Sequence, residues 1–287
     1  LAKNVGGERV AVTTLVGPDG DAHVYEAKPA DAAAVGAADL VLVNGLKFEG
    51  FLERLVEASG TKAPVIELTR GAKLLESSAD AHDHGDHDDH GEEEPDGHDH
   101  SVDSEADHDH GALDPHAWQS VPNAKVYVKN IAEALCAADA AGCDEYRTNA
   151  SAYSTTLDAL DAEIRAAVDE IPAEKRTIIS SHDAFGYFEH EYGIRFLAPE
   201  GVSTEAEASA ADVAALIRQV REDKASAIFV ESITNPRLVE QIAAETGLTV
   251  GGALYSDALS TADGPAPTYV DMMRHNIATM KGAILGK

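Results

Sequence analysis

Residues 145–171 read EYRTNASAYSTTLDALDAEIRAAVDEI, the longest helical pattern in the chain. Tyr146, Tyr153, Leu157, Leu160, Ile164 and Val168 recur at helical spacing, and neither glycine nor proline intervenes before Pro172. A helix of about 25 residues is about 37 Å long, beyond the usual three to four turns of a globular helix. Such an element is expected to run across a whole molecule and join two lobes. The predicted division is an N-terminal lobe at 1–143, a connecting helix at 144–171 and a C-terminal lobe at 172–287. A chain of 287 residues is long enough for two ordinary cores.

On both sides of that helix, short apolar strands alternate with helices. Before it, RVAVTTLV (9–16), LVLVN (40–44) and PVIEL (64–68) read as strands, with helices at 29–36, 48–58 and 122–136. The run GPDG at 17–20 breaks the first strand into a loop. After it, TIISS (177–181), 195–197, AIFVE (227–231) and 249–255 read as extended, with helices at 184–192, 208–223, 236–246 and 268–285. Alternation of this kind predicts an α/β fold: two lobes with parallel sheets flanked by helices, joined by one long helix.

Residues 80–111 break the pattern. They hold eight histidines (His82, His84, His87, His90, His98, His100, His108, His110) and 14 acidic residues, with no lysine or arginine. So little apolar surface cannot offset the entropy of ordering, and a disordered loop is expected. The whole chain carries 51 acidic against 22 basic residues, a net charge of −29. That balance argues against a nucleic-acid partner and suits attraction of cations. No apolar run reaches the length of a membrane span. Cys136 and Cys143 are either two buried thiols or, in an oxidising compartment, a small local disulfide; their spacing is not that of a zinc ribbon.

Outside 80–111 only His23, His116, His182, His190 and His275 remain. His23 lies in the loop after the first expected strand, and His182 directly follows TIISS. His116 opens a helix, and Asp257 follows the strand ending at Tyr255. Ligands of open α/β sheets bind beyond the carboxyl ends of the strands. Two of these four residues come from each half, so a cleft between lobes can collect them. Three imidazoles and one carboxylate suit tetrahedral Zn²⁺; Mn²⁺ and Mg²⁺ favour more oxygen ligands, and Cu²⁺ binds such imidazoles tightly as well. Taken singly, each residue has an ordinary reading. A loop histidine is usually solvated, and Asp257 or Asp183 can cap a helix. His190 and His275 fall within helical stretches and read as structural or surface residues.

Several segments resemble the metal-specific (cluster A-I) solute-binding proteins of ABC transporters, in particular the ZnuA-like zinc type. They are Gly17–Glu26 (GPDGDAHVYE), Asp114-Pro115-His116-Ala117-Trp118, Ser181-His182-Asp183-Ala184-Phe185-Gly186-Tyr187-Phe188, Phe229-Val230-Glu231 and Tyr255-Ser256-Asp257-Ala258-Leu259. They occur in the family's order across nearly the whole chain. The resemblance implies a periplasmic protein that is not an enzyme. It would capture Zn²⁺ at His23, His116, His182 and Asp257 and pass it to an ABC transporter permease. In the manganese-type relatives the third position tends to be a carboxylate, so His182 favours zinc. Glu231 is either an orienting partner of an imidazole or a strand-end carboxylate with local hydrogen bonds. The same resemblance implies a rigid connecting helix, and it tips Cys136 and Cys143 towards a disulfide. It also gives the histidines of 80–111 a role in metal capture or in docking a metallochaperone, against the reading of a solvated spacer.

No export signal precedes Leu1-Ala2-Lys3-Asn4, and no cysteine near Leu1 offers a lipid attachment. A signal can be removed by processing, so its absence says little about location; a free periplasmic protein is preferred over a lipoprotein, and a monomer is expected. The rivals are a manganese or iron carrier on the same fold, a zinc buffer or adhesin acting through 80–111, and a zinc hydrolase. A fourth protein ligand, and the lack of HExxH or GxSxG, speak against the hydrolase.

Overall fold

The long helix, α5, runs from Cys143 to Asp169 in the computed structural model, which describes residues 1–77 and 113–286. It starts and ends two residues earlier than its apolar pattern suggests. Asp144 and Glu145 in its first turn complement the helix dipole, and Pro172 disfavours helical backbone at Ile171. Tyr146, Ala150, Leu157, Leu160, Ile164 and Val168 form its buried stripe. At 27 residues the helix is about 40 Å long. The segment 80–111, with its eight histidines, lies outside the described residues.

Helix α4 (Val121–Ala138) precedes α5 and is capped by Ser120, whose side chain accepts from the Asn123 N–H. Between α4 and α5 the chain turns through Ala140–Gly142, with Asp139 accepting from the Ala141 N–H and from Tyr146 Oη. A disulfide joins Cys136 to Cys143 across this turn. The closed loop is short, so its chain-entropy contribution is about 2.4 kcal/mol. Replacing both cysteines by serine is expected to lower the melting temperature by roughly 5–10 °C. A calorimetric scan showing no change would contradict that.

The remaining elements, in chain order, begin with α1 (Ala2–Gly6), α2 (Pro29–Ala37), β1 (Val41–Val43), α3 (Leu52–Ser59) and β2 (Val65–Glu67). After α5 come β3 (Thr177–Ile179), α6 (Gly186–Tyr192), β4 (Arg195–Leu197), α7 (Ala210–Asp223), β5 (Ile228–Glu231), α8 (Arg237–Thr246), β6 (Val250–Leu254) and α9 (Tyr269–Leu285). The fold is α/β. β1 and β2 pair in parallel, and the second half has a four-stranded parallel sheet in the order β4-β3-β5-β6.

One local expectation needs correction. The chain opens with the short helix α1, and residues 9–16 join no sheet among the described residues. Val10 is extended, and Val10, Val12, Leu15 and Val16 are half-buried without joining a ladder. Leu15 and Val16 pack on the cluster of Val35, Val41, Val43, Phe51 and Leu55 between α2, α3 and β1. An apolar run reports burial, and burial needs no strand partner.

Helix α5 is embedded in apolar packing on both sides. One continuous core takes Val128 and Ile131 from α4, Leu157, Leu160 and Ile164 from α5, Ile178 and Phe229 from the sheet, and Met273 and Met280 from α9. A second cluster, with Ile179, Leu216, Ile228 and Ile242, fills the space between the sheet and helices α7 and α8. The sheet order matters for the site. β3, β5 and β6 are parallel neighbours, so the residues that follow their carboxyl ends emerge along one edge. These are Ser180-Ser181-His182 after β3, Glu231 closing β5, and Tyr255-Ser256-Asp257 after β6.

Candidate metal centre

His23, His116, His182 and Asp257 come together. Each offers one donor atom, and these atoms all lie within 4.8 Å of one another. His23 Nε2 is 3.4 Å from His116 Nε2 and 3.3 Å from Asp257 Oδ2. His116 Nε2 lies 3.5 Å from Asp257 Oδ1, and His182 Nε2 lies 3.2 Å from Asp257 Oδ2. The side chains of His116, His182 and Asp257 are wholly shielded from solvent, and His23 is nearly so. Three imidazoles gathered around one buried carboxylate are costly to desolvate, and the inward His182 Nε2 and both Asp257 oxygens have no hydrogen-bond partner. A cation at the centre satisfies all four.

The outward nitrogens of His116 and His182 each face a carboxylate. His116 Nδ1 donates to Asp114 Oδ1 at 2.8 Å, and the same oxygen accepts the His116 backbone N–H at 2.9 Å. Asp114 Oδ2 packs against Gly186, where a Cβ would come within 2.8 Å of it, so α6 must begin on a residue without a side chain. Glu231 Oε1 accepts the backbone N–H groups of Ser181 and His182 at 2.8 and 2.9 Å. Its Oε2 stands 2.7 Å from His182 Nδ1, an ion-pair distance, although the two atoms do not line up as a hydrogen bond. A carboxylate beside Nδ1 keeps the proton there and turns the Nε2 lone pair inward. Glu231 thus ends β5 with two local hydrogen bonds and sets its second oxygen beside an imidazole.

These contacts set the charge states. Burial pulls His116 down, but Asp257 and Asp114 outweigh it and raise its pKa to about 9. Burial likewise opposes a charged His182, and Glu231 and Asp257 together hold it well above the usual imidazole range. Burial would raise Asp257, yet His116 and His182 keep it well below the usual carboxylate range.

Phe48 and Trp118 wall the centre. Phe48 stands edge-on to His23 at 4.9 Å and to Trp118 at 4.8 Å between ring centroids. It is delivered by Gly45, Leu46 and Lys47, three successive residues with positive φ. Glu49 holds that turn by accepting the Asn44 and Gly45 N–H groups at 2.6 and 3.2 Å.

Other sequence candidates lie elsewhere. His190 Nε2 accepts from Lys73 Nζ at 2.8 Å, and His275 Nε2 donates to the Ala253 carbonyl at 2.9 Å. Asp183 does not cap α6, which begins at Gly186 with no side-chain cap; its backbone N–H donates to Gly201 O. The residue that sequence reasoning missed is Asp114, quoted in a motif but given no role. Its spacing two residues before His116 is that of an Asx turn, and this is the signal that marks it.

The family model of the periplasmic component A of the zinc-uptake complex, ZnuA, matches residues 1–283. The chain belongs to the ZnuA family. It is a metal-binding solute-binding protein of an ABC transporter, works outside the cytoplasm with a permease, and is not an enzyme. Its cargo is a divalent metal. The ZnuA relatives are divided over which one. The zinc-binding protein TroA of Treponema pallidum is 32% identical over 287 residues, covering 98% of this chain and 84% of TroA. The manganese-binding lipoprotein MntA of Bacillus subtilis is 32% identical over 291 residues, with 99% and 85% covered. The iron-binding protein YfeA of Yersinia pestis is 30% identical over 280 residues, with 98% and 81% covered. The solved structure of periplasmic TroA superposes with a TM-score of 0.83 at 30% identity, over 99% of this chain and 94% of TroA. Among the described residues, no helix is long and apolar enough to cross a membrane.

Proposed function

We propose that this ZnuA-family protein captures Zn²⁺ with His23, His116 and His182 through Nε2 and with Asp257 through a carboxylate oxygen, and delivers it to an ABC permease for zinc uptake. The observation that carries this is the spacing of the donors. Tetrahedral zinc with ligands at about 2.0–2.1 Å places neighbouring donors about 3.3–3.4 Å apart. Four of the donor contacts, at 3.2–3.5 Å, match that spacing, with Asp257 using Oδ2 towards His23 and His182 and Oδ1 towards His116, and the whole set of four donors lies within 4.8 Å. Three nitrogens and one oxygen are also softer than the oxygen-rich sets of manganese or magnesium sites. Asp114 and Glu231 fix the two deepest imidazoles for binding.

In this reading the parts 1–143 and 172–287 act as lobes around the ion, with 144–171 between them, and the protein works as a monomer. The shared core around α5 supports small lobe movements rather than a wide hinge. The histidines of 80–111 serve weak capture or docking of a metallochaperone.

One observation favours a manganese or iron carrier instead. Both oxygens of Asp257 face the centre, Oδ1 towards His116 and Oδ2 towards His23 and His182, so a two-oxygen grip would add a fifth donor. Competition between zinc and manganese for parent protein and a His182→Glu variant separates the readings. The zinc reading expects a marked parental preference for zinc, shifted at least about tenfold towards manganese by the substitution. A parent that prefers manganese, or no shift, would contradict it.

A further inference from the structure

Several hydrogen bonds join the two halves of the chain around the centre, Asp19 N–H to Leu259 O at 3.0 Å among them, and two sets of side-chain bonds differ in depth. The deep set ties the His116 segment to the Asp257 loop. Trp118 Nε1 and Gln119 Nε2 both donate to the Ser256 carbonyl at 2.9 Å, and Tyr269 Oη donates to Trp118 O at 2.7 Å. Gln119 and Ser256 have no solvent exposure. Opening this set would strand buried donors, so His116 and Asp257 form a standing half-site.

The shallow set lies at the rim. Asp21 Oδ1 accepts the His23 backbone N–H at 2.9 Å, and Asp21 Oδ2 accepts the Thr204 hydroxyl at 2.6 Å. Asp21 and Thr204 are both half-buried, from opposite halves of the chain. The Thr204 loop is in turn stitched to the His182 loop. The Asp183 N–H donates to Gly201 O at 3.2 Å, and the Glu200 N–H to Ser181 O at 3.4 Å. The Asp21–Thr204 bond therefore connects the loop carrying His23 to the loop carrying His182. The short distance is that of a charge-assisted hydroxyl–carboxylate bond. Water can replace it when it parts, because both groups reach solvent.

We propose that Asp21 and Thr204 form a latch over the metal cleft, and that this latch sets how fast bound metal leaves. The deep half-site stays assembled, and release proceeds by parting His23 from His182 at the rim. Thr204 is a positioning residue: it touches no metal and acts through Asp21 on His23. The inference rests on the zinc reading of the cleft.

The test is zinc release into excess chelator, followed by stopped flow, for the parent and for Thr204→Val, Thr204→Ala, Thr204→Ser and His182→Ala. Both Thr204→Val and Thr204→Ala are expected to release zinc about tenfold faster, with unchanged stoichiometry and association rate. Thr204→Ser keeps the hydroxyl and is expected to release at the parental rate. Parental release from Thr204→Val and Thr204→Ala would overturn the latch while leaving the cleft site standing. Release from Thr204→Ser as fast as from Thr204→Val would assign the effect to packing and overturn it too. Tight zinc binding that survives His182→Ala would sink the cleft reading itself, and the latch with it.

Discussion

His182→Ala is expected to weaken zinc binding by at least about 100-fold while leaving the fold intact. Binding at a four-ligand zinc site is worth about 10–16 kcal/mol, so one ligand of four carries roughly 3 kcal/mol. The loss should show in chelator competition as a change in affinity. Circular dichroism should barely change, because His182 follows β3 rather than lying within it, and its parallel bridge to Glu200 is made by backbone atoms that alanine keeps. The substitution also leaves Glu231 buried with its Oε1 still bonded to the Ser181 and position-182 backbone N–H groups, so the loop keeps its anchor. An affinity within threefold of the parent would mean that His182 is not a ligand.

Zinc affinity is expected to rise with pH, by up to about 100-fold per unit where both imidazoles still carry the proton that zinc displaces. Without metal, His116 titrates near 9 and His182 well above the usual imidazole range. Both are then protonated at neutral pH, and zinc must displace both protons. Calorimetry in buffers of different ionisation enthalpy should count about two protons released per zinc at pH 7.5; release of none would contradict the charge states assigned to the site. Stability should move the opposite way. A histidine whose pKa is raised on folding stabilises the metal-free protein fully below pH 6.5, and that contribution fades as pH rises through about 9. For His116 it is on the order of 3 kcal/mol. The metal-free melting temperature is expected to fall across that window. Asp257, depressed on folding, stabilises above pH 4 and loses that contribution under acid. The two effects leave the metal-free protein most stable at mildly acidic pH, where its zinc affinity is already declining.

Much of this arrangement is legible in sequence, because it rests on local rules. The stripe from Tyr146 to Val168 announces α5, and chemistry-bearing residues placed just after strands announce a sheet-edge site. His182 and Asp257 are of that kind. What sequence reading misses is decided by partners far away in the chain. Residues 9–16 carry the apolar signature of a strand, yet whether a ladder forms depends on a neighbour that the run itself does not encode. Asp114 reads as motif punctuation until Gly186 and His116 are seen packed around it. The Trp118 and Gln119 bonds to Ser256, and the Asp21–Thr204 bond, join residues more than 130 positions apart. They are side-chain geometry, with no periodicity to betray them. Glu231 is intermediate: its place at the end of β5 is readable, but the two backbone N–H groups it accepts are not.

The central claim is that one tight zinc site lies in the cleft rather than in the histidine-rich segment. Zinc stoichiometry and affinity by chelator competition, on the intact protein and on a form lacking residues 80–111, test it most directly. The account predicts one tight site per chain that survives the deletion with its affinity essentially unchanged. Tight binding that disappears with residues 80–111 would contradict it, and would make the segment, not His23, His116, His182 and Asp257, the place where zinc is held.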